Sequence, residues 1–178
     1  TAEAGLTVGD ITTGEIEVNG VQDVSSDNVG TITLVATKDA MNVLFKSGAS
    51  AFNKGIVVQA MGGVIFSETV TTKNLLTVLF AGTGTTTIRP SMTLSTTNQL
   101  LIVTADDVVI QTDQFSSGTA PMIINPATTA RTLGLGVDTS GVHIIGAELA
   151  VVGTSGGLTI GSLGASSSIT VTGITKAN

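Results

Sequence analysis

The 178-residue chain has no cysteine, tryptophan or tyrosine, only three prolines and a single histidine. Without cysteine there are no disulfides and no thiolate metal sites. With His143 alone, a metal held by paired histidines is excluded as well. Five phenylalanines are the only aromatics, 3% of the chain, so the core must be assembled from small and β-branched side chains. Charge is also scarce: 11% of residues are Asp, Glu, Lys or Arg, against about 25% in ordinary soluble domains. The surface is therefore mainly Thr, Ser, Asn and backbone, a composition common on extracellular proteins. A net charge of −6, with seven scattered Lys and Arg, argues against a nucleic-acid partner. No apolar run reaches the roughly 18 residues of a membrane span, and "TAEAGLTVGD" lacks the basic start and apolar run of a signal peptide. The chain reads as a mature protein or, by preference, an excised internal piece. It contains no Asn-x-Ser/Thr sequon.

What the chain does have is 30 threonines and 22 glycines among runs of Val and Ile, a mixture that favours strands and tight turns over helices. Its length suits one domain. Short β-rich segments follow closely: "TITLVA" from Thr31, "NVLF" from Asn42, "GIVVQA" from Gly55, "GVIF" from Gly63, and so on to "SITVTG" from Ser168. Their centres form two interleaved series. Leu34, Val57, Val78, Ile102, Ile123 and Ile144 advance by 21 to 24 residues, as do Leu44, Ile65, Ile88, Val109 and Leu133. Two strands per period of about 22 residues predict an all-β fold, a parallel β-helix or β-solenoid of about seven coils. Gly62, Gly63, Gly82, Gly84 and Asn98 are expected at its corners. Such a rod would be on the order of 35 Å long. No capping segment is evident, so its end coils would expose strand edges and open core.

The chain also ends nearly as it begins. Gly5 to Gly20 matches Gly157 to Gly173 at Gly-Leu-Thr-aliphatic-Gly and again at Ile-x-Val-x-Gly, offset by 152 residues at the first part and 153 at the second. Residues 1–178 therefore read as one solenoid module: a repeat over 5–156 and the start of the next over 157–178. The inward apolar residues of the end coils are the candidate assembly interface: Leu6, Val8, Ile16 and Val18 at the start, Leu158, Ile160, Ile169 and Val171 at the finish.

Gly134-Leu135-Gly136, Glu148-Leu149, Leu158 to Gly161 and Ile169 to Gly173 recur in the order found in filamentous-haemagglutinin-like, very large bacterial surface proteins, and "GTITLVA" and "QLLIVTADDVVI" have the look of their coils. The second half of the chain resembles the repeats of that family. The resemblance implies a right-handed parallel β-helix, secreted as part of a long fibrous adhesin or surface filament.

No constellation points to catalysis. Asp106 and Asp107 are the only adjacent carboxylates; a β-helix polysaccharide lyase or hydrolase would use clustered acids, but neighbouring strand residues face opposite ways and a polar corner is expected. His143 lacks a Gly-x-Ser-x-Gly partner for a triad. Asp10, Asp23, Asp27, Asp113 and Asp138 are the oxygen donors a Ca²⁺ ion between coils or subunits would use, yet the Gly-Gly-x-Gly-x-Asp pattern of calcium-loaded β-rolls is absent and no ligand can be named. "TIT", "TTT" and "TVT" do not recur every coil, as an ice-matching face would require, and "GTGT" lacks the Gly-Lys-Ser/Thr of a phosphate loop. No cofactor is expected. The expected function is structural: a non-enzymatic, extracellular fibre module that stacks head to tail on copies of itself, with cell-surface glycans as possible further partners. The alternatives are a glycan- or protein-binding surface module and the β-helix lyase or hydrolase.

Overall fold

The computed structural model describes residues 4–136, 141–162 and 166–174. The chain winds into a parallel β-solenoid with three strands per coil. The first coil holds β1 (Leu6–Asp10), β2 (Ile16–Val18) and a 3₁₀ turn, Asp23–Ser26. The second holds β3 (Ile32–Ala36), β4 (Asn42–Phe45) and β5 (Ser50–Phe52), and the third β6 (Ile56–Ala60), β7 (Gly63–Phe66) and β8 (Val70–Thr72). Next come β9 (Thr77–Phe80), β10 (Thr85–Ile88) and β11 (Thr93–Ser95), then β12 (Leu101–Thr104), β13 (Asp107–Ile110) and β14 (Gln114–Gly118). The last, longer windings contain β15 (Met122–Asn125), β16 (Arg131–Gly136), β17 (Val142–Ile145), the single-turn helix α1 (Gly146–Leu149), β18 (Val152–Thr154), β19 (Leu158–Ile160) and β20 (Ser166–Val171).

Equivalent strands stack into parallel sheets. Sheet A is seven-stranded, in the order β1-β3-β6-β9-β12-β15-β19. Sheet B runs β2-β4-β7-β10-β13, sheet C β5-β8-β11-β14-β18, and a three-stranded sheet D runs β17-β16-β20. Sheets B and C have five strands each, so about five turns are complete rather than seven. The count of two strands per period missed sheet C, whose members "SAF", "VTT" and "TLS" are three residues long and rich in Ser and Thr. They carry no apolar run to betray them.

In-register stacking turns inward positions into ladders. Leu34, Val58, Leu79, Val103 and Ile124 form one under sheet A, and Val18, Phe45, Phe66, Ile88 and Ile110 form another under sheet B. Phe45 and Phe66 stack with centroids 4.8 Å apart and planes 9° from parallel. At the corner between sheets A and B the coils approach so closely that a Cβ on Gly84 would lie 1.9 Å from the Gly62 carbonyl oxygen. Gly63 (φ 145°), Gly82 (φ 56°) and Asn98 (φ 64°) take left-handed conformations at corners, where the sequence predicts them. Leading into sheet A, buried hydroxyls close the turn in successive coils: Thr96 donates to the Gln99 carbonyl, and Ser117 to that of Ala120.

The regular winding breaks once. Leu101 pairs with Met122, 21 positions on, whereas Met122 pairs with Leu158, 36 positions on. The additional residues include β16, β17 and α1. Two strands assigned above to the regular series, around Leu133 and Ile144, pair with each other in sheet D instead. β17 lies alongside β13, β16 pairs with β17, and β20 pairs with β16, so the chain visits β16 before β17 while the stack places β17 first. Glu148 holds this departure together. Its buried carboxyl accepts the Ile110 amide at 2.8 Å and the Ile145 amide at 3.0 Å, satisfying donors at the end of β13 and the start of α1.

Candidate assembly surfaces at the two ends of the solenoid

Strand alternation dictates which side chains enter the core, and in the end coils no further coil lies beyond them among the described residues. Leu6 and Val8 of β1 pair in register with Ile32 and Leu34 of β3. Leu34 is 5% exposed, but Leu6 and Val8 are 46% and 41% exposed, because no coil lies beyond β1 among the described residues. Beneath them, Ile16 and Val18 of β2 are buried. These four side chains, with Val21 and Phe52, line an open hollow of about 250 Å³ in this end of the core. The edge of sheet C here is covered: the Val21 carbonyl accepts the Ala51 amide at 2.8 Å and Ser26 Oγ accepts the Asn53 amide at 2.8 Å. The edges of β1 and β2 have no pairing strand beyond them among the described residues.

The opposite end mirrors this arrangement. Leu158, Ile160 and Ile169 line a hollow of about 210 Å³ together with Leu133, Gly134 and Leu135. Ile169 and Val171 pair with Leu133 and Leu135 and remain 58% and 60% exposed. Val171 is exposed on β20 outside that hollow's lining. Thus four of the predicted residues gather in one hollow and three in the other, with Val171 beside the second.

The repeated phrase occupies corresponding strands in both places, although its first glycine differs: Gly157 has φ 105° and Gly5 is not left-handed. Gly5-Leu-Thr-Val-Gly9 contains β1 and Gly157-Leu-Thr-Ile-Gly161 contains β19, the two outermost strands of sheet A. Gly9 and Gly161 share a left-handed backbone, φ 86° and 90°, and Gly20 and Gly173 match at 61° and 72°. Ile16–Val18 and Ile169–Val171 are the corresponding parts of β2 and β20.

Of the acidic residues considered for catalysis or calcium, Asp10 ends β1 and Asp23 opens the 3₁₀ turn of the first coil, whereas Asp106 and Asp107 lie at the start of β13. Asp106 is buried; its carboxyl accepts the Thr128 amide at 2.7 Å and hydroxyl at 2.5 Å, and lies 3.7 Å from Arg131 Nε. Asp107 is at an outward position of β13, its Oδ1 3.3 Å from His143 Nδ1. The two carboxyls therefore serve different surroundings on either side of the expected polar corner. The Thr12 hydroxyl first, then the Thr12 amide and the Thr13 hydroxyl, hold the exposed Asp10 carboxyl below the ordinary aspartate range. Lys73 pairs with Asp23 at 2.5 Å. Asp138 lies outside the described residues. Among the described residues, no three His, Cys, Asp or Glu side chains are grouped to hold a metal. Among them, too, no helix is long and apolar enough to cross a membrane.

Comparison with known proteins finds no matching family model, no similar curated protein and no similar solved structure.

Proposed function

We propose that this chain is a structural repeat module of a long extracellular fibre of the filamentous-haemagglutinin-like kind, joined end to end through the edges and open core of its terminal coils. The observation that carries this reading is the sequence equivalence of β1 with β19 and of β2 with β20, with Gly9 matching Gly161 and Gly20 matching Gly173 in backbone conformation. A terminal coil built like the first coil is a template on which the same winding continues. Backbone hydrogen bonds extend across the joint as in any strand added to an open sheet. Leu6 and Val8 at one end, and Ile169 and Val171 at the other, are roughly half exposed, and covering each contributes about 1 kcal/mol.

Electron microscopy of the native material tests the reading. If successive units share the repeated coil, each advances the fibre by six strands of sheet A, an axial repeat of about 29 Å. If complete modules stack without sharing it, seven strands give about 34 Å. Replacing Ile169 and Val171 by Lys should abolish assembly while leaving the internal coils folded, since both side chains are exposed. Discrete particles from the native material, or unchanged filaments from that variant, would overturn the stacking mechanism.

A further inference from the structure

Asn19 and Gly20 form the corner that follows β2 in the first coil, and they are the one Asn-Gly pair in the sequence. Asn19 is exposed, and its Oδ1 lies against the corner of the second coil, 3.3 Å from where a Cβ on Gly48 would be. No hydrogen bond holds the Asn19 side chain among the described residues. Gly20 takes a left-handed conformation, φ 61°, and a Cβ added to it would meet nothing within 4 Å, so the corner is open on that side. The other described asparagines are differently placed. Asn28 and Asn42 precede valine and Asn125 precedes proline, while the side chains of Asn53, Asn74 and Asn98 are hydrogen-bonded to neighbouring coils.

We infer that Asn19 is a site of self-modification, at which the chain converts its own asparagine to aspartate or isoaspartate. The Gly20 nitrogen gives up its proton and bonds to Asn19 Cγ, while the Cγ–Nδ2 bond breaks and ammonia leaves. Water then opens the cyclic imide at one carbonyl or the other, so the net reaction consumes water and releases ammonia. Glycine permits this attack because it has no side chain to shield the nitrogen and its backbone turns freely. Asparagine is also among the thermolabile residues. The Gly20 amide donates to the Gly48 carbonyl at 3.2 Å and must leave that bond to react. It lies in the outermost coil, with no strand pairing beyond β2 among the described residues, where local opening takes least free energy. The consequence falls on the end hollow, whose lining includes Asn19, and this part rests on the stacking proposed above. The first coil already carries Asp10, Glu15, Glu17, Asp23 and Asp27, with no Lys or Arg before Lys38. Conversion adds a further negative charge beside a strand edge, which opposes edge pairing, and isoaspartate also inserts the Cβ methylene into the backbone after β2. Thr172 holds the matching position in the repeated phrase, before Gly173, and has no amide to lose. Conversion therefore weakens one end of the module and leaves the other intact.

The folded chain, kept in warm, mildly alkaline buffer, is sampled over time, digested and mapped by mass spectrometry, with the aspartate and isoaspartate products separated by chromatography. Conversion at Asn19 is expected on the order of tenfold faster than at any other described asparagine, since only there does glycine leave the attacking nitrogen unshielded. Asn19→Thr puts at this end the residue of the matching position and should remove the product, with circular dichroism checking its fold. A parallel incubation in guanidinium chloride reads the sequence without the fold. Conversion in the unfolded chain and none in the folded one would overturn the inference, because the Gly48 bond would then protect the site. Electron microscopy of the same samples follows fibre growth. Growth is expected to be lost in step with conversion and to persist in Asn19→Thr; growth indifferent to conversion, or an equal decline in the variant, rules out the effect on the joint. Absence of fibres from fresh protein counts against end stacking, and the mass measurement still decides the modification.

Discussion

Thr86 shows how much a single position can diverge from the ladder around it. It occupies an inward position in the row Ile16, Val43, Val64, Thr86, Val108, is fully buried, and its hydroxyl has no hydrogen-bond partner among the described residues. A buried unpaired hydroxyl costs about 1 to 3 kcal/mol. Thr86→Val keeps the shape and removes the polar atom, so thermal denaturation should show a midpoint raised by about 2 to 4 °C. Gly84 is constrained the opposite way. Gly84→Ala drives a Cβ into the Gly62 carbonyl, and because the obstacle is backbone the corner must move. A loss of about 2 kcal/mol or more in chemical denaturation is expected.

Among the elements, the junction of β13, β17 and α1 depends on one side chain. Glu148 belongs to the acidic-Leu phrase that carried part of the family resemblance, and its role is to accept amides from Ile110 and Ile145. Glu148→Ala leaves both donors without that acceptor and should cost about 2 to 3 kcal/mol. Hydrogen exchange would locate the damage: protection is expected to fall in β17 and β20 and to persist in β4, β7 and β10, which pair independently of it. Uniform loss across the chain would show that the windings do not open separately. The same junction explains why spacing misassigned Leu133 and Ile144. Both centre strands at the normal interval, and periodicity carries no information about the order in which strands stack.

For the molecule as a whole, the ends and one side remain the apolar surfaces to explain. End hollows of about 250 and 210 Å³ and the uncharged face of sheet A are directed along and across the solenoid axis respectively. Axial contact alone produces single fibres whose repeat reports the joint.

Period and composition by themselves determined the parallel solenoid and the residues at its corners. Those features follow from local rules: strand residues alternate, stacked coils repeat, and tight bends need Gly or Asn. The third strand of each coil, the number of complete turns, the inverted order of β16 and β17, and the outward placement of Phe80 were decided by tertiary structure. Short Ser- and Thr-rich strands exist because neighbouring rungs pair with them, and an aromatic in an alternating strand looks the same whichever side faces the core. Only the three-dimensional register assigns the sides.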